Sequence, residues 1–315
     1  MSDQLKRYIL PDYQIRTQIV HLDDTWRNGL HHQNLPSNVK QLIGELIAAT
    51  TLLAANIKFN GSLILQIQGD GPIPLMVAEC SANLSVRATA SLKEGVNIPD
   101  TTNLQKLMNQ TGNGRFAVIL DPKDKTEGMQ AYQGVVPLEG PSIAQALEHY
   151  MLSSEQLDTK LWLAANNERC AGLLLQRLPN HGGHNEDNDT STDTNLSDTQ
   201  KQFWDNMLPL FDTLDSKELL ETSPDTLMHR FFWQDQVRAL GEQHVTWHCP
   251  CSRERVQDML KMLGKSEIDS IIEEKGEVNV ACNFCGKPYT FDVIDCTSLF
   301  VEMRNRPGGS GSSIH

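Results

Sequence analysis

Two short cysteine pairs constrain this chain more than any other feature: Cys249-Pro250-Cys251 and Cys282-Asn283-Phe284-Cys285, separated by 30 residues. Four soft sulfur ligands in two tight pairs can converge tetrahedrally on one metal ion at small ordering cost, so this spacing points to a closed four-thiolate zinc site. The intervening sequence supports closure. Ser252 opens a helix that runs through Leu263 and stops at Gly264. Ser266 and Asp269 have capping-box spacing for a second helix, which Lys275-Gly276 ends. Glu277 to Ala281 then alternates as a strand into Cys282, and Cys285-Gly286-Lys287-Pro288 turns into a second strand over Tyr289 to Ile294. A module this small cannot fold on hydrophobic burial alone, so metal would contribute much of its folding free energy. His244, His248 and Cys296 are minor candidates as substitute ligands, because the paired cysteines already complete a tetrahedron. Cys80 and Cys170 lie in apolar surroundings and read as small core residues.

At 315 residues the chain has length for two domains, each able to bury a core. No run of about 18 apolar residues occurs and the N-terminus lacks a secretory signal, so no membrane residence and a cytoplasmic location are expected. Seven cysteines, four of them in two tight pairs, fit a reducing compartment better than a secreted disulfide framework. The net charge of −13 disfavours nucleic acid as a partner, since that binding runs on counterion release from a basic surface.

Val39, Leu42, Ile43, Leu46, Ile47, Leu53, Ala54 and Ile57 recur at helical spacing, which predicts one largely buried helix over Asn38 to Lys58. After Asn60-Gly61 the period changes to two, and strands are predicted around Leu63 to Ile67, Ile73 to Glu79, Leu84 to Ala90, Arg115 to Leu120 and Ala131 to Pro137. Ser142 and Gln145 form a capping box before another helix, and an apolar run at Lys160 to Ala165 follows. The pattern is that of an α+β domain over residues 1–179. Residues 180–200 shift abruptly to Asn, Asp, Ser, Thr and Gly, predicting a disordered, acidic, solvent-exposed insertion. Residues 201–246 are the opposite. Phe203, Trp204, Phe211, Phe231, Phe232, Trp233 and the adjacent Trp247 are half of all the Phe and Trp in the chain, on a segment predicted helical with one apolar face. That face either packs between elements or is a binding surface that is sometimes uncovered.

Several uses of a four-cysteine site are open. Purely structural zinc is the default. A nucleic-acid-binding ribbon is disfavoured by six Lys and Arg against nine Asp and Glu between Cys249 and Cys296. A thioredoxin-like site needs its reactive cysteine at a helix N-terminus, whereas Gly286-Lys287-Pro288 follows Cys285. A redox switch is the fourth use: thiolates attack peroxide or hypochlorous acid, metal is lost, and the module unfolds. No Walker-type phosphate loop, GxGxxG fingerprint or HExxH is present, and no enzymatic activity is expected.

The motifs "CPCSRERV" and "CNFCGKPYTF" resemble the zinc signature of the bacterial redox-regulated heat-shock protein 33 chaperones. The likeness continues through Gly44 to Cys80 ("GELIAATTLLAANIKFNGSLILQIQGDGPIPLMVAEC"), Tyr132 to Ala165 and Ala171 to Pro179, in order and over most of the chain. It implies a core substrate-binding and dimerisation domain (1–179), a helical aromatic-rich linker (201–246) after the insertion, a zinc redox-switch domain (247–305) and a flexible tail (306–315). It also implies an ATP-independent holdase that carries one zinc ion per chain when reduced. Oxidation would release zinc and form disulfides Cys249-Cys251 and Cys282-Cys285. The linker would then unfold, homodimers form, and aggregation-prone clients be held for a downstream foldase system. The acidic insertion departs from the family pattern. Candidate client-binding residues are Phe203, Trp204, Phe211, Phe231, Phe232 and Trp233, with the Phe231-Phe232-Trp233 face expected to pack on the core when reduced.

Overall fold

The computed structural model describes residues 3–58, 60–99, 101–123, 131–179 and 192–304. The chain forms two compact units, Met1–His248 and Cys249–His315.

In chain order the first unit contains β1 (Gln4–Leu10), β2 (Ile15–Leu22), α1 (Asp24–Leu30), α2 (Ser37–Ala54), β3 (Gly61–Gln68), β4 (Leu75–Ser81) and β5 (Ser85–Ser91). Next come α3 (Leu104–Met108), β6 (Arg115–Pro122), β7 (Tyr132–Pro137), α4 (Ile143–Glu155), β8 (Thr159–Ala165) and β9 (Cys170–Arg177). It ends with α5 (Thr192–Phe211), α6 (Ser216–Glu221), α7 (Pro224–Phe232), β10 (Arg238–His244) and β11 (Thr246–Trp247). The strands make a five-stranded sheet in the order β10-β1-β2-β9-β8 and a six-stranded sheet in the order β11-β5-β4-β3-β6-β7. Helix α2 packs against strands of both sheets and is buried without interruption from Ile43 to Ala54. Apolar residues on all its sides make it a core helix rather than an amphipathic one. Its approach to β8 and β9 is close: a Cβ on Gly44 would stand 2.4 Å from that of Ala165. Ser142 caps α4 as predicted, its hydroxyl accepting from the Gln145 N–H at 3.2 Å.

The opposite face of the five-stranded sheet is covered as well. Tyr8, Ile15, Ile19, Leu173 and Leu175 of the sheet cluster with Trp204, Met207, Phe211, Leu219, Leu227, Phe231 and Phe232 of α5 to α7. Strands β2 and β9 are therefore buried on both faces, which erases the alternation by which a strand is read from sequence. The predicted insertion is partly structured: α5 begins at Thr192, while residues 180–191 lie outside the described residues. Extending a helix back from a turn anchored by Phe203 and Trp204 costs little once its nucleus exists. The segment predicted helical to 246 stops being so after Phe232. Residues Arg238–His244 pair antiparallel with β1, from Gln4↔His244 to Ile9↔Arg238. Backbone hydrogen bonding to an open sheet edge, not side-chain period, places this exposed strand.

The second unit contains α8 (Arg253–Leu263), α9 (Lys265–Lys275), the hairpin β12 (Val278–Ala281) and β13 (Pro288–Phe291), and α10 (Val293–Arg304). Its core is small: Val256, Leu260, Ile268, Val278, Tyr289, Phe291, Cys296 and Leu299. Ser252 caps α8 and Gly276, at φ 77°, ends α9, as the sequence predicts. Ser266 does not cap α9. The helix is capped two residues earlier by Gly264, whose carbonyl accepts from the Ile268 N–H, and Asp269 pairs with Lys265. The strand predicted to Ile294 ends at Phe291, because Asp292 accepts from the Asp295 N–H at 2.7 Å and starts α10. The tail from 306 lies outside the described residues.

Candidate metal centre

Two tight turns carry the four cysteines. Cys249 and Cys251 precede the N-terminus of α8, and Cys282 and Cys285 occupy the turn of the β12–β13 hairpin. That turn is closed by its own backbone: the Gly286 N–H donates to the Cys282 carbonyl at 2.8 Å, and the Cys282 N–H to the Lys287 carbonyl at 3.0 Å. Gly286, at φ 70°, holds the left-handed conformation the turn requires.

All four Sγ atoms lie within 4.8 Å of one another. Two of the separations cross between the pairs, Cys249–Cys282 at 3.7 Å and Cys251–Cys285 at 3.5 Å. A tetrahedron with metal–sulfur bonds of about 2.3 Å has edges of about 3.8 Å, whereas a disulfide needs about 2.05 Å. The donor set therefore fits one metal ion, and the thiols are free. Among the described residues these four form the group able to hold a metal; neither His244, His248 nor Cys296 belongs to it. Cys296 is buried, its thiol directed at the Phe291 carbonyl.

The electrostatics of the thiols fit a cation between them. Burial raises the Cys282 thiol, but the N–H groups of Cys285 and Phe284 and the Cys249 side chain more than offset it, bringing it down to about 7. Burial raises Cys249 and Cys285, and sharing protons with neighbouring sulfurs raises both further. One thiolate forms readily while its neighbours resist, so four thiolates together require compensating positive charge.

Two supporting residues escape a reading of cysteine spacing. The Tyr289 hydroxyl donates to Cys251 Sγ at 3.1 Å. Arg253 donates to the Thr290 carbonyl at 2.8 Å and to Asp295 at 2.6 Å, with its guanidinium 4.1 Å from the Phe291 ring centroid. It ties α8, β13 and α10 together beside the site. Their proximity in sequence to Cys251 and Cys285 is the one signal that could have flagged them.

Cys80 and Cys170 are fully buried in the first unit, and burial pushes the Cys80 thiol up to about 12 and raises Cys170 strongly, so both are inert core groups. The aromatic candidates divide. Trp204, Phe211, Phe231 and Phe232 are buried against the five-stranded sheet and Phe203 is half-buried, stacked on Tyr13. Trp233 is 68% exposed, so it is not part of the packed face expected for Phe231-Phe232-Trp233. It falls at the end of α7, where the helical stripe has turned away from the sheet.

The family profile described as Hsp33 protein matches residues 3–292. The chain belongs to the Hsp33 family. A 33 kDa chaperonin of Methylobacillus flagellatus is 39% identical over 98% of this chain and 98% of its own length. Another, of Chromobacterium violaceum, is 41% identical over 95% of this chain and 94% of its own. The crystal structure of the 33 kDa chaperonin (heat shock protein 33 homolog) of Thermotoga maritima superposes with a TM-score of 0.74 at 20% identity, covering 97% of this chain and 100% of that one. The Hsp33 fold thus spans both units. No helix among the described residues is long and apolar enough to cross a membrane.

Proposed function

We propose that this Hsp33-family chain is a redox-regulated, ATP-independent holdase of the cytoplasm, with zinc on Cys249, Cys251, Cys282 and Cys285 as its sensor. The observation that carries this reading is the set of four free thiols within 4.8 Å in a module whose described residues bury only a small apolar core. The naming of its relatives as 33 kDa chaperonins supports the chaperone half.

Bound zinc supplies the positive charge that keeps all four sulfurs thiolate. Held as thiolates, these sulfurs are in the form that reacts with peroxide or hypochlorous acid. Each disulfide, Cys249-Cys251 and Cys282-Cys285, would form as two thiolates give two electrons to one hydrogen peroxide, which takes up two protons from solvent and leaves as two waters. Sulfurs spaced 3.5 and 3.7 Å apart across the pairs must then draw to about 2.05 Å within them. The arrangement that holds the module together is lost, and its small core does not sustain the fold without metal.

Cys249 is separated from β11 by His248 alone, so disorder in the module pulls on a two-residue strand paired with β5 at Thr246↔Ser85 and Trp247↔Val86. Loosening from β11 through β10 to α7 frees the apolar side of α5 to α7, which binds unfolding clients without demanding a particular shape. The oxidised form dimerises and releases clients to foldase chaperones once reducing conditions return. Thiols are consumed stoichiometrically, so the function is not enzymatic.

Light scattering of a heat-denaturing client tests this with equal amounts of zinc-loaded reduced protein and oxidant-treated, zinc-depleted protein. Suppression by the oxidised form alone is expected. Suppression by both would leave a chaperone with structural metal, and suppression by neither would refute the holdase reading.

A further inference from the structure

A cleft of about 330 Å³ opens within the first unit, beside the C-terminal end of α2 and bordered by β2, β3, β6, β7 and α4. Its wall is apolar: Leu53, Ile57, Leu63, Val118, Leu120 and Met151. The volume and the ratio of apolar wall to few polar groups are those of a small-molecule site.

The charged groups on its lining are unequal in their need for a partner. Glu155 is the one carboxylate, and it already accepts a hydrogen bond from the Tyr150 hydroxyl at 2.9 Å. Tyr150 is buried and fixed against β7, where a Cβ on Gly134 would stand 2.6 Å from its Oη. Arg16 differs. Its Nε donates to Gln176 Oε1 at 2.7 Å and its Nη2 goes to the same neutral oxygen, which among the described residues leaves the rest of its donor fork unused. Neither Arg16 nor the exposed Lys58, the second cation of the cleft, has an ion-pair partner among the described residues. Burial without a counter-charge lowers the Arg16 pKa, which marks a guanidinium short of an anion.

We infer that this cleft binds an amphiphilic monocarboxylate of the fatty-acid type, its carboxylate on Arg16 and Lys58 and its chain along Leu53, Ile57, Leu63, Val118, Leu120 and Met151. Two cations against one carboxylate leave a single positive charge, which matches a monoanion better than a phosphate dianion. The planar fork of Arg16 suits a carboxylate. The site is independent of the thiols and of the holdase reading.

The test uses sodium decanoate below its micelle concentration, 1-decanol as the uncharged control, and the full-length, zinc-loaded, reduced chain, with binding followed by calorimetry. Decanoate is expected to occupy one site and to bind about tenfold more tightly than 1-decanol, the worth of one charge-assisted hydrogen bond. Met151→Trp, which fills the cleft, should abolish binding, and Arg16→Gln should weaken it about tenfold. Circular dichroism checks that both variants are folded; if Arg16→Gln is not, the exposed Lys58→Glu should weaken decanoate without changing 1-decanol. Equal affinity for decanoate and 1-decanol, or unchanged decanoate binding in folded Met151→Trp, would mean non-specific adsorption to apolar surface and overturn the proposal.

Discussion

Acidification should loosen the α5–α7 layer through one side chain, His21. The ring sits on β2, 5% exposed, on the face that the helices cover, and its Nε2 has no hydrogen-bond partner among the described residues. Burial drives its pKa down to about 4; the Leu219 carbonyl of α6 and Asp23 pull it back up, and Arg169 pushes it down. Arg169 also donates to the Leu220 carbonyl at 3.1 Å and pairs with Asp23 at 3.4 Å, so the same polar group holds the end of α6. Lifting α6 returns the ring to water and to its ordinary pKa of about 6.5. The sign follows. A base depressed in the covered state binds its proton more readily when uncovered, so docking is undiminished above about pH 6.5 and weakens as pH falls toward 4. Between about pH 7.5 and pH 5 the undocking equilibrium should rise about 30-fold, about 2 kcal/mol. Hydrogen exchange of α6 and α7 in the reduced, zinc-loaded protein measures it, after correction for intrinsic rates. His21→Phe should abolish the added opening. Glu45 supplies an internal contrast. Burial raises its carboxyl to about 7 against a weaker lowering by Gln41, so its contribution is present in acid and lost as pH rises through about 7. It lies on α2, and therefore bears on global unfolding rather than on α6. An equal rise in α6 exchange in His21→Phe, or none in the native sequence, would refute the reasoning.

Phe211→Ala should cost about 3–5 kcal/mol, since its fully buried ring stacks on Phe231 at 4.1 Å; a lowered melting transition and client protection without oxidant would show the layer opening. Trp233→Ala, by contrast, should change stability by about 0.5 kcal/mol or less in the same melts because the side chain is exposed. Tyr289→Phe removes the hydrogen bond to Cys251 and should weaken metal retention against a chelator about tenfold while leaving the helices of the second unit formed. Gly44→Ala drives a methyl group into Ala165 and should destabilise the first unit by about 1–3 kcal/mol in denaturant titrations.

What could be read in advance depended on whether the physics was local. The cysteine pairs, the Ser142 and Ser252 caps and the Gly264 and Gly276 stops are decided within a few residues, and each forms where the spacing puts it. Helix α2 was legible for a different reason: its apolar residues leave no side to present to water. Strands β1, β2 and β9 are not legible in the sequence, although they form the middle of a sheet. β2 and β9 are covered on both faces and so lose the alternating pattern, and β10 is held by backbone bonds to β1 that leave no mark on its side chains. The Tyr289 and Arg253 contacts depend on a hairpin folding back on a helix start, a tertiary event that spacing does not encode.

The density of Phe and Trp after residue 200 has its explanation in what those rings cover. Phe211, Phe231 and Phe232 meet Tyr8, Ile15, Ile19, Leu173 and Leu175, so the apolar surface is shared between helices and sheet. Undocking the layer would uncover both partners at once. A client surface made of a flat strand face and three released helical faces offers broad area and little fixed shape, which suits clients that share only exposed apolar sequence. The proposed redox control sets a requirement on the resting state: the same surface must then stay covered whenever the thiols are intact. Burial of four of the six aromatic candidates against the sheet meets it, while the exposed Trp233 contributes nothing to that closure.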